Sequence, residues 1–261
     1  MSFKSEYEKG RQVLERAGVR EADTDARILL EYVAQIDRSY YYLHMHEEMD
    51  APDAEEYETL IRRRAEREPL QYVTSEAPFY GEMFYVTPDV LIPRQDTEVL
   101  VEEVLRYVNS GSTVLDMCTG SGCILLTIIR LSHACGTGVD LSPGALAVFE
   151  RNRKRMGLEA ACIQSNLFER VEGKYDLITA NPPYIASGEL SVLDPEVRLF
   201  EPQMALDGGR DGLEILRPLI RHAGEYLKPG GRLFTEIGCD QGEETAALFR
   251  ENGYTGVAVI K

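Results

Sequence analysis

The sequence predicts an α/β protein: a small helical domain over residues 1–75, a linking β-hairpin over 76–95, and a doubly wound, mostly parallel sheet over 96–261. Three observations predict it. From Thr113 onward, short β-rich runs alternate with amphipathic segments, the pattern of a parallel sheet covered by helices. Before residue 70 the apolar positions recur instead at helical spacing, as in Tyr7, Val13, Leu14 and Ala17. Between the two, Phe79-Tyr80-Gly81, Phe84-Tyr85-Val86 and Val90-Leu91-Ile92 alternate with turn residues.

In chain order, Asp23-Thr24-Asp25 reads as a helix start ahead of Ala26, Ile28, Leu29, Leu30, Tyr32 and Val33. Met49-Asp50-Ala51-Pro52-Asp53 reads as another, with Pro52 near a first-turn position where its missing N–H costs nothing. The run Tyr40-Tyr41-Tyr42 is read as core and rim packing. Glu98 to Leu105 resumes a helical pattern. The strands expected after it are Thr113–Met117, Gly136–Asp140, Ala160–Gln164, Tyr175–Ala180 and Arg232–Glu236.

At 261 residues, with 44% hydrophobic and 28% charged residues, the chain can bury a sizeable core without staples. No run approaches the ~20 apolar residues of a membrane span, and Met1 to Lys9 is too charged for a signal peptide, so a cytoplasmic location with no membrane partner is expected. The five cysteines, Cys118, Cys123, Cys135, Cys162 and Cys239, form no C-x2-C pair, and His44 and His46 fit a polar surface better than a metal; neither disulfides nor a metal site is expected. A net charge of −16 disfavours direct binding of nucleic acid through its phosphates and suits a basic protein partner better.

The chemistry concentrates at Asn181-Pro182-Pro183-Tyr184, directly after an apolar strand. Alone, such a tetrapeptide is a turn. It also has what a planar amine requires: acceptors in the Asn181 side-chain oxygen and the Pro182 carbonyl, prolines that remove competing donors, and a flat Tyr184 face. Upstream, Asp116-Met117-Cys118-Thr119-Gly120-Ser121-Gly122 ends one strand and opens a helix, and Asp140 ends the next strand, placed to accept from a ribose diol. Leu125 stands where a dinucleotide fingerprint wants another glycine, which disfavours NAD. An adenosine cofactor beside a planar amine implies S-adenosyl-L-methionine, and orienting the nucleophile at its methyl group can supply roughly 7–11 kcal/mol of the barrier.

With these motifs the chain resembles the protein-(glutamine-N5) methyltransferases of peptide-chain release factors, the PrmC/HemK family. The likeness runs over nearly the whole length: the helical N-terminal domain, Glu68 to Tyr72, Leu91-Ile92-Pro93-Arg94-Gln95-Asp96-Thr97-Glu98, Asp116 to Gly122, Asn181 to Ile185, Glu201 to Gly209, Glu236-Ile237-Gly238 and Gln241-Gly242. The resemblance implies the class I S-adenosylmethionine-dependent methyltransferase sheet, a monomer, and a substrate glutamine in the Gly-Gly-Gln loop of class I release factors. It implies that Asn181, Pro182 and Pro183 hold the carboxamide with Tyr184 stacked on it. It also implies that Cys118, Thr119, Gly120, Ser121, Gly122 and Asp140 bind the cofactor, with Asn166 and Leu167 at the adenine and Asn181 bordering both ligands. Two departures stand out: many relatives carry aspartate where Asn166 stands, and they continue past the strand resembling Gly256 to Ile260 into a closing strand, whereas this sequence stops at Lys261.

Two other readings compete. An adenine-N6 methyltransferase would share Asn-Pro-Pro-Tyr, but acidity and the helical N-terminal domain favour the protein substrate. A binding module without activity is disfavoured by the intact Asn-Pro-Pro-Tyr and glycine loop.

Overall fold

The computed structural model describes residues 1–260; Lys261, the last residue of the expected sheet domain, lies outside the described residues. The described chain divides into two compact units, Met1–Ser75 with Asp194–Phe200, and Glu76–Leu193 with Glu201 onward.

The first unit is helical: α1 (Phe3–Arg16), α2 (Ala22–Ala34), α3 (Arg38–His44), α4 (Ala51–Ala65) and α5 (Leu70–Thr74). Side-chain oxygens of Ser2 and Asp37 cap α1 and α3. Pro52 occupies the first turn of α4. α2 begins one residue before the expected Asp23, which places Asp23 and Asp25 in its first turn, facing the positive end of the helix dipole. Leu14, Leu29, Leu30, Tyr57 and Ile61 fill the core. A Cβ on Gly10 would come within 2.2 Å of the Tyr57 hydroxyl, which donates to Ala26 O at 3.1 Å, so glycine there permits the close packing of α1 on α4. Tyr41 is buried and Tyr40 and Tyr42 are exposed around it. The buried Arg64 donates to Asp25 at 2.7 Å and to Glu196 at 3.0 Å, and Arg67 donates to Glu196 at 2.6 Å.

The second unit opens with an antiparallel hairpin, β1 (Glu76–Phe79) and β2 (Glu82–Tyr85), turning through Tyr80 and Gly81 at φ 49° and 79°. Val90 to Ile92 do not extend it; they run as irregular chain along the cavity described below. There follow α6 (Asp96–Leu105), β3 (Thr113–Met117), α7 (Cys123–Ser132), β4 (Cys135–Asp140), α8 (Pro143–Met156), β5 (Ala161–Gln164) and β6 (Tyr175–Ala180). Then come α9 (Pro195–Phe200, a helix of the first unit), α10 (Leu216–Tyr226), β7 (Leu227–Thr235) and α11 (Gly242–Glu251).

Among the described residues the sheet has five strands, all parallel, in the order β5-β4-β3-β6-β7. β7 starts at Leu227, earlier than the expected Arg232, and residues 257–260 join no strand. Val114 and Leu177 point to one side, with Leu100, Val101 and Val104 of α6 and Ile124, Leu125 and Ile128 of α7. Leu115, Met117 and Ile178 point to the other, with Leu219 and Ala223 of α10. Alternation on strands buried on both faces makes the sheet doubly wound. The chain moves outward from β3 to β5 and then returns to β6 on the far side of β3. That reversal opens a crevice at the C-terminal ends of β3 and β6, where ligands bind in such sheets.

Candidate active site

Each strand end at the crevice is followed by one of the sequence motifs. A cavity of about 300 Å³ lies there, lined by Cys118, Thr119, Gly120, Ser121, Asp140, Leu141, Asn166, Leu167, Asn181 and Pro183, with Val90, Leu91 and Thr97 among the other walls. That is the scale of a small-molecule site.

The loop after β3 owes its shape to a buried acid. Asp116 is fully buried and accepts from Thr119 Oγ1 at 2.6 Å and Thr179 Oγ1 at 2.7 Å. Burial pushes its pKa up to about 7, against the lowering by those two hydroxyls. Cys118 takes a left-handed conformation (φ 57°) that favours glycine, and Gly120 follows at φ 54°. A Cβ on Gly120 would meet nothing nearer than 4.0 Å, so its open face is the cavity side. Gly122 is different: it does not line the cavity, and a Cβ there would lie 2.5 Å from the Phe149 ring. Its glycine serves packing under the loop.

Asp140 Oδ2 accepts from Gly120 N and Oδ1 from Ser142 N, both at 2.9 Å. Burial raises its pKa, and those backbone donors oppose the shift. Each oxygen keeps a further lone pair, so the carboxylate can tie the loop and also accept a diol. Asn166 Nδ2 donates to Glu169 Oε1 at 2.7 Å, which leaves its side-chain oxygen as the group it can offer to the cavity.

After β6, Asn181 Nδ2 donates to Thr97 Oγ1 at 3.3 Å. Pro182 is buried, and among the described residues the backbone bonds of this loop run from Ile185, Ser187 and Gly208 without one ending on the Pro182 carbonyl. Neither Pro182 nor Tyr184 lines the cavity. The Tyr184 hydroxyl donates to Glu236 Oε1 at 3.2 Å, and burial followed by the Glu236 charge pushes its pKa up to about 12.

Several supports of this loop escaped the sequence reading. A Cβ on Gly208 would lie 2.8 Å from Pro183 O, and one on Gly212 (φ 76°) 2.3 Å from Tyr184 O, so Asn-Pro-Pro-Tyr rests directly on glycine backbone. Gln241 Nε2 donates to Tyr184 O at 2.9 Å. The buried Glu201 receives Ile92 N at 3.2 Å and pairs with Arg94, giving that arginine a structural partner. Glu98 Oε1 accepts Tyr80 N at 2.8 Å. The signal for these was the presence of Arg94, Glu98, Glu201, Gly208 and Gln241 in the family motifs, because each contact joins segments distant in sequence.

Open glycine backbone, an acceptor carboxylate at the second strand end and a largely apolar cavity suit an adenosine cofactor. Fold and site together define an S-adenosylmethionine-dependent methyltransferase. The chain matches the PrmC N-terminal domain family over residues 7–74 and the methyltransferase small domain family over residues 95–196. It is 42% identical over 246 residues to the release factor glutamine methyltransferase of Geobacter sulfurreducens, covering 94% of this chain and 87% of that one. The Clostridium acetobutylicum protein of the same name is 34% identical over 273 residues, covering 100% and 94%. The chain belongs to the release factor glutamine methyltransferase family. The Thermus thermophilus 16S rRNA N2 G1207 methyltransferase, solved with AdoMet and guanosine, shares the fold at 21% identity and a TM-score of 0.52, over 68% of this chain and 44% of that one.

Proposed function

We infer that this protein methylates the side-chain amide nitrogen, N5, of the glutamine in the Gly-Gly-Gln motif of class I peptide-chain release factors. The observation that carries the reading is Asn181-Pro182-Pro183-Tyr184 at the end of β6, beside the cavity walled by the glycine loop and Asp140. S-adenosylmethionine, when bound, supplies an electrophilic methyl group on a positively charged sulfur. Asp140 would hold its ribose, the 118–121 loop its amino-acid part, and Asn166 and Leu167 its adenine.

The chain's own residues orient the nucleophile. An amide nitrogen has a delocalised lone pair and must be turned so that this pair faces the methyl carbon. The Asn181 side-chain oxygen and the Pro182 carbonyl accept its two N–H bonds, and Tyr184 covers its plane. As the N–C bond forms, the C–S bond pair remains on sulfur and the released N–H proton passes to solvent. No strong base is required, because orientation at the methyl carbon lowers the barrier.

The helical unit, residues 1–75, recognises the body of the release factor, since one glutamine side chain offers too little surface to select a single protein. The protein acts as a monomer in the cytoplasm without contacting nucleic acid directly. Among the described residues no helix is long and apolar enough to cross a membrane. The test is mass spectrometry of a class I release factor incubated with the protein and S-adenosylmethionine. A methyl group mapped to the Gly-Gly-Gln glutamine is expected. A methyl group on another residue, or on adenine in added DNA or RNA, would overturn the reading.

A further inference from the structure

We propose that Glu236, acting through Thr97, is a positioning residue that fixes which end of the Asn181 carboxamide faces the substrate. The inference rests on the methyl-transfer reading above. A carboxamide is nearly symmetric in shape, so packing alone cannot choose between its oxygen and its nitrogen; only the donors and acceptors around it can. The substrate amide brings N–H donors, and Asn181 must therefore present oxygen to them.

The groups behind Asn181 impose that choice. Its Nδ2 donates to Thr97 Oγ1 at 3.3 Å, and Thr97 is buried on α6. A hydroxyl that accepts from Asn181 has its single proton to give elsewhere, and the Glu236 carboxylate lies beside it. Glu236 follows β7 directly, and its backbone N donates to Ala180 O at 3.0 Å, which sets it next to Asn181. A carboxylate only accepts, so the contacts favour one direction, with Asn181 donating to Thr97 and the Thr97 hydroxyl facing Glu236. Turning the carboxamide over would set its oxygen toward the Glu236 carboxylate, and Thr97 could answer it only by turning its proton away from that carboxylate. The same carboxylate takes the Tyr184 hydroxyl at 3.2 Å and so holds both side chains that address the substrate.

The carboxylate is costly where it stands. Its Oε2 is buried and accepts no hydrogen bond of ordinary geometry from the protein, while Thr97 and Asn181 approach the group at longer range. Burial raises its pKa; Thr97, Tyr184 and Asn181 lower it, and Asp96 adds a smaller raising charge. The other titratable groups facing the cluster are the Cys123 thiol, and Arg94 and Asp96 around Tyr184. A buried acid with few partners is destabilising on its own, and an acceptor-only group is what the Asn181 orientation demands.

The pH consequence has a definite sign. Above its folded pKa Glu236 is ionised and holds Asn181 in the working orientation. As pH falls through that raised pKa, the carboxyl gains a proton, can donate, and both orientations become available. Wild-type kcat should therefore fall on the acid side, with a midpoint above the ordinary glutamate value of about 4.3. Glu236→Gln offers one donor and one acceptor, so kcat should drop about 10–100-fold and the acid limb should vanish. Affinity for S-adenosylmethionine, read by calorimetry on the full chain, should stay near wild type and show that the variant folds. Thr97→Ser should retain activity where Thr97→Val loses it. A readout independent of turnover is the exchange rate of the Asn181 side-chain NH2 protons by NMR, expected to be slow in the wild type and faster in Glu236→Gln. A wild type that methylates no release factor sinks the methyl-transfer reading alone, because the exchange measurement still judges the orientation. Unchanged exchange in Glu236→Gln, or unchanged kcat and pH profile in an active protein, would overturn the positioning role.

Discussion

Asn181 and Asp140 line the same cavity, and the proposed mechanism gives them different main tasks, so removing each should separate turnover from binding. Asn181→Ala deletes the acceptor for the substrate amide and leaves the adenosine contacts in place. If lost orientation costs about 3–4 kcal/mol at the transition state, kcat should fall about 10²–10³-fold with cofactor affinity little changed. Near-normal turnover would sink the mechanism. Asp140→Ala should act the other way and weaken S-adenosylmethionine binding by about one to two decades, the worth of charge-assisted bonds at roughly 1.5–3 kcal/mol. The Gly120 and Ser142 N–H groups also lose their acceptor, so part of that loss comes through the loop. Unchanged affinity by calorimetry would place the ribose elsewhere.

At the scale of elements, the interior strands were legible because buried parallel strands are short apolar runs, and Thr113–Met117 and Tyr175–Ala180 stand where the pattern put them. Less was legible where contacts outweigh pattern. Val90 to Ile92 look like strand, yet they run as irregular chain in which Val90 and Leu91 line the cavity, and β7 begins before its apolar stretch. The glycines at 208 and 212 gave no hint of their task, since what they admit is the backbone of Pro183 and Tyr184. Gly212→Ala would combine a strained positive φ with a Cβ 2.3 Å from Tyr184 O. It should cost about 1–3 kcal/mol of stability and lower kcat by displacing Asn-Pro-Pro-Tyr; wild-type thermal midpoint and kcat would show the loop to be independent of that support.

Asp176 clamps three strands at their opposite end. It accepts from Thr113 N at 2.7 Å and Thr113 Oγ1 at 2.9 Å on β3, and from Lys228 Nζ at 2.8 Å on β7. Lys228 first, then the Thr113 N–H, holds its pKa near about 2. A depressed folded pKa means stability that is present above the unfolded value of about 3.9 and lost as pH falls toward 2. Because the group is partly exposed, the contribution is modest, about 1 kcal/mol after solvent screening. Urea midpoints measured from pH 5 to pH 2 should fall less steeply for Asp176→Asn than for the wild type. Parallel curves would assign the acid limb to other carboxylates.

For the whole molecule, the sequence divided the chain by texture but gave no sign that Asp194–Phe200 packs with the helical unit. Glu196 and Arg64 are 132 positions apart, and only their charges in the folded unit join them. Net charge of −16 was legible at once, and its use depends on where it lies. Glu48, Glu55 and Glu56 are exposed on the helical unit, and the latter two have α4 as a rigid base. The docking proposed for this unit calls for a basic surface on the release factor. Acids at this unit would steer that surface toward the enzyme, an attraction that salt screens over about 8–10 Å. Reversing the three together as Glu48→Lys, Glu55→Lys and Glu56→Lys should raise KM for intact release factor roughly 3- to 150-fold at low salt, taking about 0.2–1 kcal/mol for each exposed charge. The kcat at saturation should hold, because none of the three lines the cavity. Increasing salt should bring wild type and variant together. Equal KM values at low salt, or a difference that persists in high salt, would leave these acids to solubility and place the docking of the release factor elsewhere.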